Sequence, residues 1–462
     1  MRRTVGQRFT IFLAALILVS SGGVVANGAP GILVTNDLIL KKCTDCHKAY
    51  GGTKVGERIV SRISFLRKSP EGWEETLWRH KRIHGLSITK AEKETLILYL
   101  SDKQGLAPAE VAPYAYTLEK RDTKEKVEGQ VVIDMCVRCH SYAKTAIQRR
   151  TEEEWTKLAN THSGVLPMWL YQLQDVLDWE DTLAAGLKEI SKRFPLETPE
   201  WKQWNSARPN VGDGKWIVAG YQAGKGAYNG EIEMKKTGAF AYSYRGTVEF
   251  EDGEKQPIQG NATLYGGYAW RAEGTLAGQP IREVFHISMD GTTFTGTRFA
   301  NPHFELRGVE TRIFAGGPGR ILSVMPKAVQ AGTKGATVTI VGTGLSKEVS
   351  FGDGVAVKRV ISATSTKVVV SVDVHDKAAT GFRATKAGGV GDDRKFAVYA
   401  SIDYIKVLPS PAMSRTGGLG SAIKQLVQFD AMAYSRIVGG AAGSGGDIEI
   451  GRVPAAWKVV EL

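Results

Sequence analysis

The chain has 462 residues, 42% of them hydrophobic, and its 60 lysines and arginines exceed its 48 aspartates and glutamates for a net charge of +12. That length excludes a single small domain, and that apolar share excludes a disordered chain. The charge would admit nucleic acid, but no nucleic-acid motif or aromatic–basic stripe accompanies it, which leaves solubility and the steering of acidic redox partners.

In chain order the first element reads as an export leader. Arg2, Arg3 and Arg8 precede an apolar run over 9–19, and Val24-Val25-Ala26 ends in the small-residue pattern of a cleavage site. The run is shorter than the ~20 residues a membrane span needs. Residues 1–26 are therefore expected to be removed near Ala26, with no stable membrane insertion of the remainder.

Two runs of the same form follow, Cys43-Thr44-Asp45-Cys46-His47 and Cys136-Val137-Arg138-Cys139-His140, and they use all 4 cysteines. C-x-x-C-H is the attachment signature of c-type haem. Two thiols on one helical turn add to the two vinyl groups of a porphyrin, and the histidine that follows ligates iron from the proximal side. A C-x-x-C pair alone would also fit thiol redox chemistry or half a zinc site, and the trailing histidines favour haem. Cys43, Cys46, Cys136 and Cys139 are thus the expected covalent anchors of two haems, with His47 and His140 as proximal ligands. Covalent haem together with a leader places the protein in the periplasm.

Residues 27 to about 205 read as helical and hold five of the 8 histidines: His47, His80, His84, His140 and His162. Ser69-Pro70-Glu71 starts a helix that carries Trp73, Leu77, His80 and His84 along one face and stops at Gly85. Thr89-Lys90-Ala91-Glu92 is a capping box for the next helix. After Cys139 the order repeats: Thr151-Glu152-Glu153-Glu154 reads as a capping box, and Trp155, Leu158 and His162 share the face behind it. Two tandem cytochrome c-like helical domains, 27–112 and 113–209, are the expectation. A second axial ligand is expected on each iron. For the first haem the candidates are His80 and His84; for the second, His162 and Met168.

Beyond residue 210 the pattern turns to short strands separated by turn signals such as Asp252-Gly253 and Asp290-Gly291. An antiparallel β-barrel is expected over 210–315, an immunoglobulin-like β-sandwich over 316–399 and an incomplete β domain over 400–462. His286 and His303 read as ordinary sheet residues, and Gly342-Thr343-Gly344 as a turn. There is no nucleophile elbow, zinc-protease motif or dinucleotide fingerprint. Two one-electron centres without a substrate site describe an electron relay; a di-haem peroxidase and a stand-alone electron carrier are the other readings.

The whole arrangement resembles the α subunit of quinohemoprotein amine dehydrogenase. The likeness lies in Ser69-Pro70-Glu71-Gly72-Trp73, Arg79-His80, His84-Gly85 and the run from Tyr99 to Leu106. It continues in Gln148-Arg149-Arg150, Glu154-Trp155, Tyr171-Gln172, Arg193-Phe194-Pro195-Leu196, Ala207-Arg208-Pro209 and Pro454-Ala455-Ala456-Trp457. The resemblance implies a periplasmic heterotrimer that oxidises primary amines to aldehyde and ammonia. The substrate would react at a cysteine tryptophylquinone on a small partner subunit, enclosed with the help of a β-propeller subunit. This chain would take the electrons through two haems and pass them to a blue-copper protein or soluble cytochrome c. The resemblance also marks departures: methionine is the family's residue at the place of His80, and the place of Met168 is not generally methionine. They point to His80 on the first haem and His162 on the second.

Overall fold

The computed structural model describes residues 30–51, 57–121, 123–165, 171–301, 303, 306–410, 412, 414, 416–417, 424–437 and 446–460. The expected leader and Met168 lie outside the described residues. Among those residues no helix is long and apolar enough to cross a membrane.

The helices form where local chemistry dictates. Asn36 caps Asp37–Lys42 by accepting from the Ile39 amide at 3.0 Å, and the helix ends at Cys43. Ser69 caps Pro70–Ile83, accepting from Gly72 at 3.2 Å. Thr89 and Glu92 exchange both bonds of a capping box at the start of Lys90–Lys103. Gln130–Cys136 begins at Gly129, whose φ of +85° suits glycine, and it delivers Cys136 at its last turn. At Glu152–Val165 only half of the expected capping box forms: the Glu154 amide donates to the Thr151 hydroxyl at 3.3 Å. The Glu154 carboxylate turns instead to Arg62 at 2.9 Å and Lys157 at 3.1 Å.

The helices do not make the tandem cytochrome c-like domains that the sequence pattern led us to expect. They form one body, and among the described residues strand exceeds helix. Two apolar cores, one around Trp73, Leu77 and Leu96 and one around Trp155, Trp179 and Ile190, flank a two-stranded antiparallel ribbon. The ribbon joins Leu66–Lys68 to Gln148–Arg150, pairing Leu66 with Arg150, Arg67 with Arg149 and Lys68 with Gln148. On one face of it Arg67 makes a bidentate pair with Glu110 at 2.8 and 2.9 Å, and Arg149 reaches the same carboxylate at 2.9 Å. Arg67 also donates to the carbonyls of Gly105 and Leu196. These groups are buried, and breaking a buried ion pair costs about 3–5 kcal/mol. Neither half could therefore separate as an independent unit without stranding charge.

The eight strands from Gly214–Gln222 to Arg307–Phe314 run in sequence as an up-and-down antiparallel meander, and the last closes on the first through Trp216↔Phe314 and Ile217↔Ile313. Alternate residues such as Trp216, Tyr244, Trp270 and Phe285 fill the interior. Four charged groups sit among them: Arg312 donates to Glu283 and Glu310, and Arg298 pairs with Glu310. On the outer face Ile217 and Ile313 meet Val341 of the next unit. That unit is two four-stranded sheets enclosing a valine-rich core. Three further antiparallel strands, Tyr404–Leu408, Asp430–Ser435 and Ile448–Arg452, lie beside the barrel, where the Tyr221 hydroxyl donates to Asp430 at 2.8 Å.

The barrel also grips the helices. Arg271 pairs with Glu71 in the first turn of Pro70–Ile83, and Arg208 pairs with Asp102 at 2.6 Å. The Trp204 indole donates to the Gly266 carbonyl at 3.0 Å, and His286 stacks on Tyr268 and faces Glu119. The helix that bears His80 is thus anchored at its start by the barrel.

Candidate haem sites

Each C-x-x-C-H run leaves the end of a short helix in a tight turn. The first turn is held by the amides of Cys46 and His47, which both donate to the Cys43 carbonyl, at 3.3 and 2.8 Å. None of the four cysteines is in a disulfide. Cys43 packs against the first apolar core and Cys136 lies within the second. Burial, together with Cys46, pushes the Cys43 thiol up to about 11, and burial pushes Cys136 up to about 12. A redox-active thiol needs the opposite shift, so these sulfurs suit a covalent bond better than thiolate chemistry.

The histidines of the first run and the following helix converge. The His47 and His80 rings lie 5.8 Å apart, centre to centre, with 40° between their planes. Two imidazoles on opposite sides of one metal, each with an N–metal bond of about 2.0 Å, have centres roughly 6 Å apart. The spacing therefore fits one iron between them. His84 stands 5.1 Å from His80 at the helix end and is exposed, with no ring contact to His47 among the described residues. Of the two candidates, His80 is the one that faces the proximal histidine.

The tautomers fit as well. His80 Nδ1 lies 2.8 Å from the Thr76 carbonyl, His162 Nδ1 lies 2.9 Å from that of Leu158, and His140 Nδ1 lies 2.9 Å from that of Ser141. A carbonyl only accepts, so each Nδ1 carries the proton and each Nε2 keeps its lone pair for a metal. Burial lowers the pKa of His47, of His80 and of His162, and neighbouring cationic groups lower each further. Ligation requires the neutral ring, and that is the form this environment favours. In the second unit the proton affinity of His162 is also reduced by His140, which places the two imidazoles within electrostatic reach of one another.

Sequence reasoning did not find the cations that surround these rings. Arg62 bears on His47, Arg79 and Lys68 on His80, and Arg79 and Arg150 on His162. Lys68 and Arg150 sit in three-residue strands that give no periodic signal, so their burial became visible only once the ribbon placed them; Arg62 and Arg79, in a turn and a helix, are partly buried.

Comparison with known families bears on this geometry. A family model described as quinohemoprotein amine dehydrogenase A, alpha subunit, haem binding, matches residues 33–201. That single model spans both C-x-x-C-H runs, in keeping with one helical body. Models for alpha subunit domains II, III and IV of the same protein match 209–311, 319–400 and 405–462. No curated protein matches the chain. Among solved structures, a redesigned β-barrel, mFAP1, bound to DFHBI is 14% identical over 24% of this chain and 96% of its own, with a TM-score of 0.20. A de novo designed fluorescence-activating β-barrel is 13% identical over 23% of this chain and 96% of its own, also with a TM-score of 0.20. Likenesses that slight carry no argument.

Proposed function

The chain belongs to the quinohemoprotein amine dehydrogenase alpha-subunit family, and from that premise we propose that it is the di-haem electron-transfer subunit of a periplasmic amine dehydrogenase. The observation that carries the reading is the 5.8 Å approach of His47 to His80 across the first C-x-x-C-H run. Cys43 and Cys46 would anchor one porphyrin, and Cys136 and Cys139 the other. His47 and His140 would ligate from the proximal side, His80 and His162 from the distal side. Bound haem supplies a one-electron centre at each site.

The chain's own residues prepare those sites. Carbonyls of Thr76 and Leu158 fix the distal rings as Nδ1–H tautomers, so no proton must leave when the metal is taken. Apolar walls cover Cys43 and Cys136, while Cys46 and Cys139 stay exposed at the outer thioether of each site. No amine-binding site is assigned to this chain. The substrate would react at a cysteine tryptophylquinone on a small partner subunit, flanked by a β-propeller subunit. Electrons would leave for a blue-copper protein or a soluble cytochrome c. The quinone delivers two electrons, and two haems match that number.

The test is purification of the native complex from its source. Two smaller or propeller-type chains should accompany this one, one of them staining for quinone, and a primary amine added without oxygen should reduce both haems. A complex whose haems stay oxidised under amine, yet respond to peroxide, would reject the proposal in favour of a peroxidase.

A further inference from the structure

The two halves of the helical body share a constellation that the C-x-x-C-H motif does not include. Lys68 precedes Trp73 by five residues and His80 by twelve; Arg150 precedes Trp155 and His162 by the same steps. Both tryptophans are buried, and each indole donates to a main-chain carbonyl, of Gln104 at 3.3 Å and of Phe194 at 3.2 Å. Lys68 Nζ and the Arg150 guanidinium each lie 5.5 Å over the ring of their own tryptophan. The ribbon explains the symmetry. Its two strands cross at the Arg67↔Arg149 pair, so Lys68 and Arg150 emerge on the same face as equivalent positions.

On the opposite face Arg67 and Arg149 have Glu110. On this face the cations have no such partner. Lys68 is 7% exposed and Arg150 4%, and among the described residues neither has a carboxylate oxygen within 4.0 Å. Lys68 donates to the Thr76 hydroxyl and Arg150 to the Gln148 side chain at 2.9 Å, both neutral acceptors. A buried cation with no carboxylate in contact with it is costly. Here there are two: Glu75 acts on Lys68 and Glu154 on Arg150 only from beyond 4.0 Å, while Arg62 and Arg79 add positive charge to the same field.

A repeated cost at equivalent positions beside each distal histidine calls for a repeated anion. Porphyrins of haem carry two propionate carboxylates on one edge. We propose that Lys68 and Arg150 are the propionate anchors of the two haems, Lys68 for the haem ligated by His80 and Arg150 for the haem ligated by His162. The ribbon then serves as one cationic seam between the two porphyrin edges, so one carboxylate of each pair is held from a common backbone. Charge-assisted pairing of this kind is strong when it is buried. It also fixes each porphyrin about the axis that the thioethers leave free to rock.

This inference rests on the di-haem reading, and the haem count checks that reading first: purified chain with fewer than two haems overturns both. The further test uses the holoprotein with haem labelled by ¹³C at the propionate carboxylates. Redox-difference infrared spectra are compared for wild type, Lys68→Met, Arg150→Met and the conservative pair Lys68→Arg and Arg150→Lys. Each methionine variant should shift the label-sensitive carboxylate band of one haem and lower that haem's reduction potential, leaving the other haem unchanged. Loss of a nearby positive charge favours the oxidised, more positive iron. The conservative variants should restore the potential while still moving the band, because ammonium and guanidinium bind carboxylate differently. If the methionine variants fail to accumulate, the conservative pair decides. Label-sensitive bands that coincide with wild type in every variant retaining both haems would overturn the proposal and leave the cations as packing groups on tryptophan.

Discussion

At Glu110 one carboxylate faces two guanidinium groups. Burial alone would raise its pKa from 4.5, but hydrogen bonds and charge from Arg67, with Arg149 and the Ala107 amide, bring it down to about 2. A carboxylate depressed on folding stabilises the fold above its unfolded pKa. That contribution is lost as pH falls from about 4.5 through about 2. It amounts to something on the order of 3 kcal/mol. We expect Glu110→Gln to destabilise the helical body by about 3–5 kcal/mol at neutral pH and to flatten this acid limb, as followed by denaturant unfolding of the haem absorption between pH 2 and 7. An unchanged acid limb would show that Glu110 is not the group responsible. The histidines proposed as ligands give a second prediction. His162→Ala should turn one haem high-spin and leave the absorption of the haem at His47 as it was, whereas His84→Ala should leave both low-spin. His80→Met should add a near-infrared methionine–iron band absent from the native protein; its presence in the native protein would contradict bis-histidine ligation of both haems.

The elements carry a different lesson. Helix starts were legible because capping is local: Ser69-Pro70 and Thr89 with Glu92 act within one turn, and the structure shows those bonds. The C-x-x-C-H runs were legible for the same reason. The ribbon was not, because its strands are only three residues long, highly charged and about 80 residues apart, and nothing periodic announces such a pairing. Two tandem units were inferred for want of that one long-range contact. Glu154 shows the same effect at smaller scale, drawn from its own helix cap to Arg62 across the body. Packing between the helices is equally invisible in sequence. Gly186 in Trp179–Arg193 would place a Cβ 2.6 Å from Met135 Sδ in the helix that leads into Cys136. Gly186→Val should therefore force those helices apart at about 1–3 kcal/mol. It should also perturb the spectrum of the second haem before that of the first, as read by variable-temperature absorption. Equal perturbation of both would separate Met135 packing from the second site.

Across the whole molecule the barrel acts as ballast and bracket for the helices. Its interior charges are enclosed, with Arg312 and Glu283 at 0% side-chain exposure, and among the described residues none of them contacts a histidine of the proposed haem sites. Glu310→Gln should leave Arg298 and Arg312 short of one counter-charge and destabilise the barrel by about 3–5 kcal/mol. Tryptophan fluorescence from Trp216 and Trp270 would report that loss, while the visible spectrum of the native state stays the same. A change in that spectrum before unfolding would mean that the barrel takes part in tuning the haems.

Arg67 also links the closing of the first segment to the far end of the helical body. Its guanidinium is enclosed by groups from Gly105, Glu110 and Leu196, so it cannot leave water at a tolerable cost until the last of them is in place. The segment that follows the first pair of thiols therefore locks together with Leu196 and not before it, an order of assembly written into the polypeptide by one arginine.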